Sequence, residues 1–129
     1  VPNKHTHTSA FAAFGTKPRN IQWSWSARNE DTKTVVVTLW QDEFSKGMTY
    51  ERPAAHRQVR SRHGFPEMMS NMRWALDHAD GLVRVIIAIA RDTTESPRSI
   101  KECFPSPLIM RVVELDEETG AFRLVKANA

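Results

Sequence analysis

Leu82-Val83-Arg84-Val85-Ile86-Ile87-Ala88-Ile89-Ala90 is apolar at every position but Arg84. A strand with one wet face alternates apolar and polar residues, whereas this stretch is apolar on both alternating faces, the pattern of a strand covered on both sides. Its Val and Ile content favours extended backbone over helix. It is therefore the central strand of a sheet, and the rest of the chain is read as what flanks and covers it.

On the N-terminal side, Pro66 opens a helix as its first residue. Met68, Met72, Ala75, Leu76 and Ala79 then fall on one face at helical spacing before Gly81 stops it. The stripe of Met is core packing. Trp74 lies off it. Further upstream, Trp23 and Trp25 alternate with Ser24 and Ser26, which places both indoles on one face of a strand. Residues 28–33 form a polar turn, and Thr34-Val35-Val36-Val37-Thr38-Leu39-Trp40 is the β-branched return arm of a hairpin. Residues 41–65 are polar and irregular, punctuated by Gly47, Pro53 and Gly64.

On the C-terminal side, Ser96 as cap and Pro97 at the first helical position predict a short helix through Phe104, ended by Pro105-Ser106-Pro107. Residues 108–115 and 121–126 are two further strands joined at Asp116–Gly120, with Gly120 where a positive φ is wanted. The expected order is β-β-α-β-α-β-β. It implies an α+β fold with about five strands in a mixed sheet and two helices, the sheet either open or curled into a partial barrel.

With 129 residues the chain is expected to form one domain over 1–129, with residues 1–20 a loosely docked N-terminal arm tied down by Phe11 and Phe14. An apolar fraction of 40% and four Trp provide ample core material. No apolar run reaches the ~18–20 residues of a membrane span, and the opening residues lack the apolar stretch of a secretory signal. Cys103 is the sole cysteine. No internal disulfide can form, which favours a reducing, cytoplasmic setting; Cys103 itself reads as a small buried hydrophobe.

The densest chemical feature lies in the irregular stretch: Arg52, His56, Arg57, Arg60, Arg62 and His63, with no acid among them. As a helix, Arg52, His56, Arg60 and His63 would form one stripe. Guanidinium groups in such a ridge suit phosphate, and a nearby Trp74, Tyr50 or Phe65 could stack on a base, so nucleic acid or another polyanion is the expected partner. The opposing reading is a solvated loop whose cations are answered by Glu51, Glu67 or the acidic turn near Asp116.

A second constellation is aromatic. Trp23, Trp25, Trp40, Tyr50 and Trp74 could wall a small-molecule pocket beside the hairpin, or simply fill the core. A third reading is a homodimer formed through an outer strand or through Trp74. Metal and catalytic signals are thin. His5 and His7 lack a placed third ligand; Asp42-Glu43 with Lys46, and Asp92 past the central strand, fit strand ends and turns as well as they fit a catalytic set. His78 suits the last turn of its helix through the dipole. None of the Gly-rich phosphate loop, nucleophile elbow, paired C-x-x-C or H-E-x-x-H signatures is present. No cofactor or metal is expected, and the balance leans away from an enzyme.

Three blocks stand in order: Trp23-Ser24-Trp25-Ser26; Thr38-Leu39-Trp40 with Asp42 and Phe44; and Arg73-Trp74-Ala75 with His78, Asp80-Gly81 and Arg84-Val85-Ile86-Ile87-Ala88. Through them the chain resembles a group of small uncharacterised bacterial proteins, over roughly residues 20–127. That group has no established activity. The resemblance therefore implies a bacterial, cytoplasmic, single-domain protein and assigns no functional residue.

Overall fold

A computed structural model describes residues 7–17, 25–44, 49–52, 64–92, 94, 100–116 and 118–127. The elements are α1 (His7–Ala12), β1 (Ser26–Asn29), β2 (Thr34–Trp40), a 3-10 turn (Gln41–Glu43), β3 (Thr49–Arg52), α2 (Gly64–His78), β4 (Leu82–Ala90), β5 (Ile100–Leu115) and β6 (Phe122–Lys126). The fold is α+β. The six described strands share one open mixed sheet in the order β1-β2-β4-β5-β6-β3, with β1 and β3 at its edges among the described residues.

β4 sits inside the sheet, as its apolar run requires, with β2 parallel on one side and β5 antiparallel on the other. A parallel pair needs a crossover, and α2 belongs to the one between β2 and β4. It lies across β1, β2, β4 and β5, with Met69, Met72 and Ala75 in a core completed by Val35, Val37 and Leu39 of β2 and Val83, Val85 and Ile87 of β4. The alternate residues of the same strands, Val36, Ile86 and Ala88, face the other way and are covered by Ala10 and Phe11 of α1. Helices on both faces thus account for the absence of alternation in 82–90.

Several expectations change. The N-terminal arm contains a helix, α1, whose Phe11 is fully buried. Its end is fixed by Thr16, whose hydroxyl donates to the Phe11 carbonyl at 2.7 Å. The described part of the first hairpin strand, Ser26–Asn29, includes Arg28 and Asn29, which the sequence places in the turn; the reversal itself is residues 30–33, with Lys33 in the left-handed region. The 41–65 stretch is not uniformly irregular: it holds the 3-10 turn and a sixth strand, β3, which reaches the sheet by pairing with β6. α2 starts at Gly64, so Pro66 sits inside the first turn, where its missing N–H leaves no bond unmade.

The largest difference is at 100–104, expected to end a helix and found as the first part of β5. Cys103 pairs with Ala88 and Phe104 with Ile87, so the free side of the central strand recruits this segment against its local capping signal. From 100 to 107, β5 has β4 as its sheet partner; β6 joins it only from about 110 onward. Pro105 and Pro107 lie in that half, where among the described strands β4 alone pairs with β5 and a residue without an N–H is tolerated, and the Ser106 hydroxyl donates to the Val85 carbonyl at 2.9 Å.

Candidate anion-binding surface

The basic stretch 52–63 begins at the last residue of edge strand β3 and ends immediately before α2. Arg52 is placed by its backbone, opposite Phe122. His56, Arg57, Arg60, Arg62 and His63 lie outside the described residues. What the structure does place is the set of acids named as their internal answer. Glu51 is engaged by Arg123, whose Nε lies 3.1 Å from its Oε1 and whose Nη1 lies 3.7 Å from Glu114. Asp116 caps its own turn, accepting from the backbone N–H of Glu118 at 3.0 Å and of Thr119 at 3.2 Å. The Thr119 bonds hold its carboxyl below the ordinary range. Glu67 sits in the first turn of α2, where the helix dipole favours an acid.

The charge distribution points the same way. Four Arg and no acid fall between 52 and 63, so against the chain's formal +3 the remainder carries −1. Elsewhere Arg28 meets Glu30 at 3.0 Å and Arg73 meets Asp77 at 3.7 Å. The body of the protein neutralises much of its own charge, and the basic excess resides in the segment.

Of the five aromatic residues of the pocket reading, the four that are described are divided by the sheet. Trp23 lies outside the described residues. Trp25 and Trp40 are neighbours on the α1 side, ring centroids 5.3 Å apart, with His7 next to Trp25 and Phe11 beneath His7. Tyr50 is buried on the α2 side against Phe44 and Phe122. Trp74, also on that side, has the Arg28 guanidinium 5.3 Å from its ring centre and the His78 ring at 4.8 Å. The Arg28 contact gives the off-stripe Trp74 a cation–π partner within the molecule.

The weaker chemical candidates are likewise absorbed locally. His7 Nε2 shares a 2.7 Å hydrogen bond with the Thr38 hydroxyl, and burial lowers its pKa to about 4. Asp92 accepts from the Thr94 hydroxyl at 2.6 Å and from its N–H at 2.9 Å, an Asx turn that keeps its carboxyl acidic. Glu43 accepts the Tyr50 hydroxyl at 2.7 Å. Burial pushes the Cys103 thiol up, away from the reactive thiolate. Among the described residues no group of three or more His, Cys, Asp or Glu is placed to hold a metal ion, and no helix is long and apolar enough to cross a membrane.

No known protein family, curated protein or solved structure matches the chain.

Proposed function

We propose that the protein is a non-catalytic, cytoplasmic binding domain of bacterial origin that meets nucleic acid, or another polyanion, through the basic segment 52–63. The observation that carries this reading is the imbalance of the segment: four Arg without an acid, against a remainder of the chain that carries −1. Arg neutralises phosphate through a planar fork, releasing counterions, which makes such binding salt-dependent and tolerant of sequence.

The test is fluorescence anisotropy with short single-stranded and duplex oligonucleotides across a salt series. Affinity should fall steeply between about 50 and 200 mM salt, and the Arg57→Ala/Arg60→Ala variant should lose roughly 1 to 2 from the slope of log K against log salt. Absence of oligonucleotide binding at low salt, or an unchanged slope in that variant, would remove the reading.

A further inference from the structure

Among the described residues, Ala10 and Phe11 of α1 cover one face of the sheet near Val36, Ile86, Ala88 and Cys103. Toward the start of β4 and the end of β5 it carries exposed Arg84, Arg111 and Val113 beside half-buried Leu82 and Val125. The strand register arranges these side chains in rows. Arg111 lies between Leu82 and Val125, and Arg84 is opposite Ile109 one row further on. On the other side of Arg111, a bulge after Val112 brings Glu114 opposite Arg123, which itself pairs with Glu51. Val113, the extra residue of that bulge, is 44% exposed.

The rows differ in charge. Two carboxylates share the single Arg123 guanidinium, at 3.1 and 3.7 Å, so their row is left with one net negative charge. Arg84 and Arg111, by contrast, form no ion pair among the described residues. They are diagonal neighbours on adjacent strands, about 7–8 Å apart, where like charges repel. Among the described residues this face therefore presents an acidic row and two unpaired cations, with Leu82 and Val125 flanking Arg111 and Val113 between Arg111 and the acidic row.

Such a pattern is complementary to itself. A two-fold axis at Val113 would lay the Arg84 and Arg111 of one copy over the Glu114 and Glu51 of the other, with Val113 of both copies at the centre. We infer that this face is the contact of a homodimer that packs sheet on sheet in an isologous arrangement. Four strands by three rows outline about 400 Å², below the ~800 Å² per partner of a standard stable interface. The dimer is accordingly weak, concentration-dependent and steered by charge.

Sedimentation equilibrium of the full chain, from about 0.01 to 1 mM at low salt, should show the average mass rising toward that of two chains and falling back at about 0.5 M salt. Val113→Asp, at a position solvated in the monomer, and Arg84→Glu/Arg111→Glu should each weaken association at least about tenfold, while circular dichroism and the thermal midpoint of the dilute protein stay unchanged. The inference is overturned by a mass that stays monomeric throughout, by a dimer indifferent to Val113→Asp, or by a monomer that loses oligonucleotide binding in Arg84→Glu/Arg111→Glu. The dimer does not rest on the polyanion reading: Arg57→Ala/Arg60→Ala should leave the self-association constant unaltered.

Discussion

Asn71 of α2 donates from Nδ2 to the Ser26 hydroxyl of β1 at 2.7 Å, joining residues 45 apart in sequence with both side chains closed to solvent. A helix lying over a sheet through aliphatic contacts alone can slide or rotate at small cost. A buried polar pair cannot, because displacement leaves a donor and an acceptor unsatisfied. Asn71→Ala should therefore destabilise the fold by about 1–3 kcal/mol, whereas the paired Asn71→Leu/Ser26→Ala change should cost less than the single one. Urea midpoints of the variants measure both, and a loss below about 0.3 kcal/mol for Asn71→Ala would show that the pair does not position α2.

Acid should loosen the N-terminal helix. Burial against Phe11 and Trp25 takes His7 from an ordinary value of 6.5 down to about 4, so the folded state prefers the neutral ring. With the folded pKa below the unfolded one, the contribution of the docked ring is complete above about pH 6.5. It declines as pH falls through that value and is spent near pH 4, a difference on the order of 3 kcal/mol. Hydrogen exchange at Ala10 and Phe11 should accelerate across this window, and His7→Phe should flatten the response. An NMR titration giving His7 a midpoint near 6.5 would contradict the buried placement.

Tyr50→Phe should cost about 1–2 kcal/mol, more than the loss of a hydroxyl at a solvated site. The Tyr50 hydroxyl donates to Glu43 at 2.7 Å and accepts from the Trp40 N–H at 3.4 Å. It thus joins edge strand β3 to the end of β2 through the 3-10 turn. Faster exchange of the Trp40 amide in the variant is the local signature, and an unchanged amide would place the bond in doubt.

Two backbone positions should respond in opposite directions. Lys33 adopts φ +53° in the β1–β2 reversal, a conformation that a side chain disfavours, so Lys33→Gly should stabilise by up to about 1 kcal/mol after glycine's own entropy cost. Gly81 adopts φ +76°, and a Cβ there would come within 3.3 Å of the Val112 carbonyl. Gly81→Ala should cost about 1–3 kcal/mol. Thermal midpoints that move the same way for both would refute the assignment.

The elements readable from sequence were those whose periodicity is long enough to be distinctive. β2, β4, the β5–β6 hairpin and the apolar face of α2 all carry it, and β4 announces cover on both faces through Val85-Ile86-Ile87. α1 has six residues and β3 four, too few to express a period. Each is held by one ring, Phe11 or Tyr50, inserted into a core built by distant strands. Ile100 to Phe104 carried a genuine helix-start signal just upstream, and only the pairing of Cys103 with Ala88 reverses it. The partition of Trp40 and Tyr50 to opposite faces depends on strand order, which local sequence does not encode. Likewise, the engagement of Glu51 by Arg123 joins strands 72 positions apart and emerges only with the β3–β6 pairing.

The prolines of β5 have a consequence for the molecule's behaviour in crowded solution. A sheet margin that offers its amides can template a stranger's chain, and successive additions of that kind build fibrils. Among the described strands β5 runs beyond β6 over its first half, and the imino residues at 105 and 107 carry no amide donor for such an addition. Replacing both with valine should shorten the lag of fibril growth, which thioflavin fluorescence would record.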